Sequence, residues 1–449
     1  MRTARARFLA LTLCLTATGG SLFWLLRTRP PNLVIILADT LRADRLGAYG
    51  SPTGRTPFLD GLAARGVVFS RAYAPSSWTT PSVASLFTAT YPSTHGVVFY
   101  GARLPATPFT LAERLRGLGY RSAGFSTNFL INQSLGFARG FDRWQTILGP
   151  SDREIKVRGE KLRRRAIGWL DAAGHRHAGG TFLYLHYMEP HGPYQPPAAF
   201  RQPPPGGRAG AVHEPRRTRS AAATRALGLY DGEVAALDAE IEQLFAELRR
   251  RGFLDRTIVA FTSDHGEEFD EHGGLGHGRT VFNESIHVPL ILVGAGLPAG
   301  RVVDRTVSLV DLAPTLLELV GAPATRWGDG RSLVPLIRGH GHPATAALVR
   351  SELPRIAGSP EKRAHLAALI RQQTKLVLTL AGDLELYDLA RDADERSPVN
   401  PERDGGSAAL TNVLRTAVSR FPEFTSAPIE RAPVDAATAE RLRALGYAP

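Results

Sequence analysis

Hydroxyl side chains crowd one stretch of this 449-residue sequence, SSWTTPSVASLFTATYPSTHG at residues 76–96. A Ser or Thr hydroxyl is a weak nucleophile near neutral pH and reacts when a base or a metal activates it. The same residue types are common at helix N-caps, and Pro is common in a first helical turn. The stretch therefore predicts a loop that runs into a helix, and by itself it leaves open whether any of its hydroxyls reacts.

Acidic and imidazole groups directly follow three apolar runs. Asp39 ends the run NLVIILAD, Asp264 and His265 follow TIVAFTS, and His191 stands in a Pro-bounded loop after FLYLHY. Short apolar β-branched runs predict buried parallel strands, and ligands of open α/β sheets collect outside the carboxyl ends of such strands. Carboxylate oxygens and an imidazole nitrogen also suit a divalent cation. We therefore expect Asp39, Asp264 and His265 to face one crevice, although each alone is a weak signal.

The elements that must position these residues are strands that alternate with helices. Residues 257–261 and 182–187 have strand patterns, whereas residues 221–251 carry apolar side chains at helical spacing over a long stretch. This alternation predicts an α/β fold with a large, mostly parallel sheet flanked by helices. After residue 345, short strand patterns such as KLVLTL, separated by turn signals, predict a small C-terminal α+β subdomain.

The amino-acid composition and net charge indicate which kinds of molecule the protein binds. The chain is 43% hydrophobic and 21% charged, which is typical of a globular protein. Its formal net charge is +12, and because it has only four lysines the basicity comes almost wholly from arginines interleaved with acids. No nucleic-acid-binding motif accompanies the charge, so we expect no nucleic-acid partner. The positive balance instead suits anionic substrates or an anionic membrane surface, and the oligomeric state stays open.

The N-terminus has the pattern of a membrane-targeting segment. Three arginines precede a charge-free apolar run at residues 8–26, which approaches the ~20 residues that a membrane helix needs. We favour an uncleaved anchor over a signal cleaved after Gly19, because cleavage there leaves SLFWLL exposed. The positive flank then predicts a single-pass protein of the cell membrane whose catalytic body lies on the exported, periplasmic or extracellular side. Cys14, the only cysteine, lies inside this run, so the body has no disulfide and no thiol nucleophile.

From residue 31 to about residue 397 the chain resembles the sulfatase family of the alkaline-phosphatase superfamily. The resemblance is carried, in the family's order, by NLVIILADTLRADRLGAYG, WTTPSVASLFTATYPSTHGV, YLHYMEPHGPY, TSDHGEEFDEHGGLGHG and ELYDLARDADE. It implies an alkaline-phosphatase-like central sheet. With it we divide the chain into an N-terminal signal anchor at 1–30, a sulfatase-like catalytic domain at 31–345, and a C-terminal subdomain and tail at 346–449.

The formylglycine motif of this family is altered here. Sulfatases keep Cys or Ser two residues before the proline of a C/S-x-P-S-R motif and convert it to formylglycine, whose hydrate attacks sulfur. Thr79 occupies that position in TTPSV, and Val83 replaces the arginine. Threonine cannot become formylglycine, whereas phosphodiesterases and phosphoglycerol or phosphoethanolamine transferases of the superfamily use a Thr nucleophile. The resemblance therefore implies that Thr79 is the catalytic nucleophile.

The resemblance also implies one divalent metal ion, held by Asp39, Asp264 and His265 with Thr79 as a further ligand. Thr40 stands where family members often have a second Asp. The loss of one carboxylate and the gain of His265 shift the preference from Ca²⁺ towards Mn²⁺ or Zn²⁺, and all three ions stay open. Such a cation lowers the pKa of a bound hydroxyl and neutralises an anionic ester.

Three further residues carry over from the family as substrate contacts. His277, in GLGHG, falls where sulfatases have a lysine that grips the transferred group, and His191 falls where they have a substrate-contacting histidine. We expect both to act in catalysis as well as in substrate binding. Asn128, in FSTN, falls near a phosphate-binding amide of Thr-dependent phosphodiesterases. The alternative is a two-metal site in which His191 and His277 help to hold a second cation beside Glu189.

These observations predict a membrane-anchored, metal-dependent hydrolase or transferase that acts on phosphate or sulfate esters through Thr79, with phosphodiester chemistry favoured. Two alternatives remain, a sulfuric ester hydrolase with a non-formylglycine mechanism and a catalytically inactive, binding-only member of the family. A Ser-His-Asp hydrolase is a poorer choice because the sequence has no G-x-S-x-G elbow.

Overall fold

The central strand, β1 (Asn32–Asp39), is buried along its whole length. Side chains alternate between the two faces of a strand. The odd-numbered residues from Leu33 to Leu37 accordingly enter one hydrophobic core, and the even-numbered residues from Val34 to Ala38 enter another. A strand with apolar side chains on both faces is stable only between two covered faces of a sheet, which is why this run is continuous rather than alternating.

The computed structural model describes residues 29–51, 53, 55–98, 101–149, 156–174, 179–201, 219–323, 326–340, 346–350, 365–379, 381–399, 401, 408–419 and 440. The strands that follow β1 up to the C-terminal region are β2 (Val67–Tyr73), β3 (Arg121–Ser126), β4 (Arg143–Thr146), β5 (Thr181–Pro190), β6 (Thr257–Ser263), β7 (Glu268–Phe269), β8 (Leu275–Gly276), β9 (Leu290–Gly294) and β10 (Arg301–Ser308).

Eight strands form the main sheet, in the order β10-β2-β9-β6-β1-β5-β3-β4. All neighbouring pairs are parallel except those of β9, which runs antiparallel to both β2 and β6. Strands β7 and β8 form a separate antiparallel hairpin. The predicted large, mostly parallel sheet is therefore confirmed, and the strands predicted at 182–187 and 257–261 lie within β5 and β6.

Helices cover both faces of this sheet. They are α1 (Pro57–Ala64), α2 (Thr79–Thr88), α3 (Pro92–His95), α4 (Leu111–Gly117), α5 (Gly159–Ala173), α6 (Ala221–Arg250), α7 (Asn283–Ile286), α8 (Leu312–Leu319) and α9 (Val334–Ile337). Helices α2, α4 and α8 pack into the core that contains Leu33, whereas α1, α5 and α6 pack into the core that contains Val34. The long helix predicted at 221–251 is confirmed as α6.

The C-terminal region has its own antiparallel sheet. Its strands are β11 (Ala346–Arg350), β12 (His365–Arg371), β13 (Thr374–Thr379) and β14 (Leu384–Asp388), paired in that order. Helix α10 (Ala408–Val418) packs on this sheet through Leu414 and Val418. The opposite side of the sheet contacts the main domain, where Tyr73 and Phe282 join Ile370 and Tyr387 in one cluster. The predicted small C-terminal α+β subdomain is confirmed.

The predicted single-pass placement in the cell membrane is corrected by the structure. In the part of the chain that the structure describes, no helix is both long enough and apolar enough to cross a bilayer. The run at residues 8–26, on which that prediction was based, lies outside the described residues.

Candidate active site

Helix α2 begins at Thr79 and brings its hydroxyl to the carboxyl edge of the sheet. The residue before it, Trp78, is the N-cap and provides no side-chain cap. The hydroxyl of Ser82 donates a hydrogen bond of 2.6 Å to the carbonyl oxygen of Asp264, which ties the first turn of the helix to the end of β6. Backbone N–H groups of a first helical turn have no intrahelical partner and favour negative charge. The Thr79 hydroxyl therefore lies where an anionic group is stabilised.

Asp39, Asp264 and His265 lie together where β1 and β6 end. These strands are adjacent and parallel, so the ends of both reach the same edge of the sheet. One ligand atom from each of the three residues lies within 4.8 Å of the others, and all three residues are fully buried. The convergence predicted from two distant segments of sequence is thus present in the structure.

Two carboxylate oxygens in this cluster lack a hydrogen-bond partner among the described residues. They are Oδ1 of Asp39 and Oδ2 of Asp264. The Nε2 atom of His265 lies 4.0 Å from the first and 3.4 Å from the second. A buried carboxylate oxygen without a donor is costly unless a cation binds it. Two hard oxygens beside one imidazole nitrogen therefore fit a divalent metal ion.

The imidazole of His265 faces the Thr79 hydroxyl. Its Nδ1 lies 2.9 Å from the Gly266 carbonyl oxygen, which can only accept a hydrogen bond, so Nδ1 carries the proton. The lone pair is then on Nε2, 3.1 Å from Thr79 Oγ1. That lone pair can accept the hydroxyl proton or bind a cation, but it cannot do both at once.

The backbone around this cluster is tightly constrained. Thr40 has a φ of 63°, a left-handed conformation that is unusual for a β-branched residue. It is held there because its N–H donates to Asp264 Oδ1 (3.2 Å) and its carbonyl accepts from the Tyr230 hydroxyl (2.8 Å). At Gly266 a Cβ atom would lie 1.9 Å from the carbonyl oxygen of Glu284, so only glycine fits. Strain and close approach of this kind are typical of functional sites.

Asp39 is positioned by two side chains from neighbouring strands. Its Oδ2 accepts hydrogen bonds from Asn128 Nδ2 (2.6 Å) and His186 Nε2 (3.1 Å). The other ring nitrogen of His186 lies 3.0 Å from the Tyr184 hydroxyl. Asn128, predicted to contact substrate, thus contacts the Asp39 carboxylate, and its own Oδ1 accepts from the Leu130 N–H. Sequence reasoning missed His186, whose only signal was a lone histidine within the otherwise apolar run FLYLHY.

His277 and His191 lie beside this cluster. The His277 ring centroid is 4.4 Å from that of His265 and 5.2 Å from that of His191. Its Nδ1 is 2.7 Å from Oε1 of Glu267, whose Oε2 accepts a hydrogen bond from the Tyr194 hydroxyl (2.8 Å). Glu267 was not predicted, although it directly follows the DHG motif.

Burial sets the protonation states of the site. It raises the pKa of Asp264 to about 7, and the charge of Asp39 adds to that shift. Burial also raises the pKa of Asp39, but the hydrogen bond from His186 and the nearby imidazoles outweigh it, so this carboxyl ionises below its usual range. Burial lowers the pKa of His265, of His191 and, to about 4, of His277. All three are thus neutral near pH 7, the form in which an imidazole nitrogen binds a cation or accepts a proton.

The alternative of a second metal ion beside Glu189 finds no support in the described residues. Across that part of the chain, Asp39, Asp264 and His265 form the one acid and imidazole group with metal-binding geometry. Oε1 of Glu189 accepts a hydrogen bond from the Gly159 N–H (3.0 Å), and burial raises the pKa of this carboxyl. Oε1 of Glu189 is therefore engaged with the start of α5, whereas its Oε2 has no hydrogen-bond partner among the described residues.

Comparison with known proteins identifies relatives over most of the chain. A family model described as Sulfatase matches residues 31–322, and one described as N-sulphoglucosamine sulphohydrolase, C-terminal, matches residues 270–420. Steryl-sulfatase of Mus musculus is 30% identical over 413 residues, which cover 69% of this chain and 65% of that protein. The chain thus spans about two thirds of the length of that curated relative.

Solved structures of the same fold include the phosphonate monoester hydrolase of Agrobacterium radiobacter. It is 25% identical, has a TM-score of 0.69, and matches over 88% of this chain and 96% of its own. A second structure, solved in complex with its substrate D-glucosamine-2-N,6-O-disulfate, has a TM-score of 0.70 at 19% identity. It covers 90% of this chain and 100% of its own, and at that identity it shows the fold alone.

Proposed function

Because the chain belongs to the sulfatase family, we propose that it is a metal-dependent hydrolase or transferase of anionic esters in which Thr79 is the nucleophile. Phosphodiesters are the favoured substrates. The observation that carries the proposal is the contact of 3.1 Å between Thr79 Oγ1 and His265 Nε2, beside two buried carboxylate oxygens without hydrogen-bond donors among the described residues. Thr79 stands two residues before Pro81, where the resemblance to the family places the formylglycine precursor, and no cysteine lies in this part of the chain.

In the first step Thr79 Oγ attacks the phosphorus or sulfur of the ester. The new bond joins Oγ to that atom, the bond to the leaving oxygen breaks, the hydroxyl proton of Thr79 passes to water, and the leaving oxygen takes a proton from His191 or His277. The start of α2 then faces the negative charge that develops on the transferred group. In the second step water, or another alcohol, loses a proton and attacks the same atom, the bond to Thr79 Oγ breaks, and Oγ takes up a proton, which gives hydrolysis or transfer respectively.

Asp39, Asp264 and His265 would hold one divalent ion, with Thr79 as a further ligand. We leave its identity among Ca²⁺, Mn²⁺ and Zn²⁺, because carboxylate oxygens favour the first two and an imidazole nitrogen favours the last two. Bound there, such an ion supplies positive charge that lowers the pKa of the Thr79 hydroxyl and offsets the charge of the ester.

His191 and His277 would contact the transferred group and the leaving oxygen. Both imidazoles are neutral near pH 7 because burial lowers their pKa values. An anion beside them raises those pKa values, since an opposite charge favours the protonated ring. Substrate binding would thereby favour a protonated imidazole, which can give its proton to the leaving oxygen. Glu267 holds His277 by its Nδ1, which turns the other ring nitrogen away from that carboxylate.

A sulfuric ester hydrolase that works without formylglycine is the second candidate, favoured by the similarity to steryl-sulfatase of Mus musculus. A binding-only role is the third. The buried carboxylates of Asp39 and Asp264 argue against a binding-only role. Without a bound cation, two adjacent buried carboxylates destabilise the fold and have no structural benefit.

We also propose that the catalytic domain covers residues 31–345 and that the C-terminal subdomain and tail cover residues 346–449. Every residue assigned to the ester or the metal lies before this boundary, and the antiparallel sheet begins directly after it, at Ala346.

The proposal is tested by comparing three substrates that share one leaving group, an aryl sulfate, an aryl phosphate monoester and an alkyl aryl phosphate diester, with Thr79→Ala as the control. We expect kcat/KM to be at least about tenfold higher for the diester than for the sulfate, a difference of ~1.4 kcal/mol in the barrier. A tenfold preference for the aryl sulfate would favour the second candidate. No turnover of any ester by the metal-loaded protein would leave the binding-only role.

A further inference from the structure

An arginine-lined cavity lies beside the candidate active site and shares none of its residues. It encloses about 830 Å³, within the range of about 300–1,000 Å³ that is usual for small-molecule sites. None of the residues assigned above to the ester or the metal lines it. Of the described residues that do, eight are arginines, five are Asp or Glu, and none is a lysine. The cavity therefore has the size and charge to bind an anionic small molecule.

Half of these arginines are neutralised by ion pairs. Arg42 contacts Asp44 (2.8 Å) and Glu271 (2.6 Å). Asp44 also pairs with Arg45, and Glu271 also pairs with Arg219. Arg71 pairs with Asp304, which lies outside the cavity. Acidic side chains thus compensate this half of the positive charge.

The remaining four arginines have no carboxylate within ion-pair distance among the described residues; they are Arg55, Arg201, Arg225 and Arg396. Arg55 is only 8% exposed, and its Nη1 donates a hydrogen bond to a neutral group, the carbonyl oxygen of Phe200 at 3.2 Å. In the described part of the chain, the buried Nε of Arg45 also lacks an acceptor. A buried guanidinium donor without an acceptor is costly, which applies to Arg55 and Arg45, whereas Arg201, Arg225 and Arg396 are exposed to solvent. Together these groups offer an anionic partner both buried and accessible donors.

We propose that this cavity binds a small molecule that carries at least two sulfate or phosphate groups. A guanidinium presents a planar pair of donors that matches the oxygens of such groups. This is the reason to expect them where, apart from His272, the cationic side chains among the described lining residues are all arginines. The four arginines without an ion pair come from four separate segments of the chain, so their charge is spread around the cavity rather than concentrated at one point. A ligand with two anionic groups can contact more of these arginines than a ligand with one.

The cavity adjoins the candidate active site without being part of it. The Nη1 of Arg42, which lines the cavity, donates to the Glu267 carbonyl (3.0 Å), whereas the Glu267 side chain accepts from His277 on the other side. Binding in the cavity involves no step at Thr79, so this proposal stands or fails separately from the proposed ester chemistry.

Isothermal titration calorimetry of the full chain at low ionic strength tests this, with inorganic pyrophosphate and glucosamine 2-N,6-O-disulfate as the two probes. We expect at least one probe to bind, with affinity that falls as salt is added. Arg55→Gln and Arg225→Gln should each weaken it about tenfold, the loss expected for a charge-assisted hydrogen bond. Arg225 is exposed on α6, so its replacement leaves the fold intact even where that of buried Arg55 does not.

Arg164→Gln is the matched control, because it removes the same charge from an exposed position of α5 outside the cavity. It should bind the probe like the unmodified protein, and Arg225→Gln should leave KM for an ester substrate unchanged. The proposal is wrong if neither probe binds, if both cavity variants bind the probe normally, or if Arg225→Gln raises KM for the ester, since the cavity would then belong to the ester site. The relative affinity of the two probes shows whether sulfate or phosphate groups are preferred.

Discussion

The hydroxyl of Thr79 lies 3.1 Å from Nε2 of His265, although 186 residues separate the two in sequence. The contact joins the first residue of α2 to the loop that follows β6. Thr80, the next residue, is also buried, but its hydroxyl has no hydrogen-bond partner among the described residues. Of the two adjacent threonines, only Thr79 contacts one of the residues that would hold the metal ion.

Replacing Thr79 with alanine should abolish turnover, by about a thousandfold or more, because it removes the attacking oxygen. At saturating metal the metal content should stay nearly unchanged, since Asp39, Asp264 and His265 still hold the ion. The melting temperature should also change little, because the helix start tolerates alanine. Thr79→Ser should keep part of the activity, because the hydroxyl remains and only the methyl that restricts its rotamer is gone. Thr80→Ala is the matched control and should stay within a few-fold of the unmodified protein. Mass spectrometry of protein trapped with a slow substrate should find the adduct on Thr79, and an adduct on Thr80 would refute the assignment.

Asp39→Asn and Asp264→Asn should each lose the bound metal and the activity, as measured by elemental analysis after dialysis. The change keeps the shape of the side chain and removes the charge that a cation needs. Glu268→Gln is the control: this nearby carboxyl is buried, its pKa is raised by burial to about 8, and it is therefore already neutral at pH 7. Full metal occupancy in Asp264→Asn would remove Asp264 from the site.

Without metal and above pH 7, the melting temperature of Asp264→Asn should be higher than that of the unmodified protein. The variant no longer places two negative charges, those of Asp39 and Asp264, together.

Disturbing the partners of Asp39 should weaken metal binding without removing any ligand. His186→Phe and Asn128→Ala each delete a hydrogen bond to Asp39 Oδ2, and losses of this kind cost about 10- to 100-fold in metal affinity. Tyr184→Phe removes only the hydroxyl that contacts His186, so it should cost less. Competition with a metal-sensitive dye measures all three affinities. If Asn128→Ala instead raised KM while metal affinity stayed constant, its predicted role in substrate binding would be supported.

The free energy of unfolding should depend on pH through His272. Burial lowers the pKa of this imidazole, but the hydrogen bond and charge of Glu284 outweigh burial, so its pKa is raised in the folded protein. The folded state then holds the proton more tightly than the unfolded state does. The resulting stabilisation is complete below about pH 6.5, the ordinary pKa of histidine. It is lost as the pH rises through the pKa that His272 has in the folded state. Urea unfolding over a pH series should show this loss, and His272→Gln should lack it. His340→Gln, at an exposed position, is the control; an unchanged pH profile in His272→Gln would contradict the prediction.

Much of the fold followed from local patterns in the sequence. The apolar run of β1 and the helical spacing of α6 are properties of consecutive residues, and both elements have the predicted type and nearly the predicted bounds. Asp39 and Asp264 could be placed at one edge because parallel strands present their carboxyl ends on the same side. The position of Thr79 came from its place in a family motif.

The sequence by itself thus determined the α/β class, the residue types of the metal cluster and the absence of a cysteine from the body of the chain. Only the tertiary structure decided which side chains surround that cluster. His186 reaches Asp39 because β5 lies beside β1 in one particular register, and Asn128 reaches it from the strand beyond. The arginine-lined cavity likewise combines segments as distant as Arg55 and Arg396. Contacts of this kind depend on strand order and register, which link residues far apart in the chain and leave no periodic signal within any one segment.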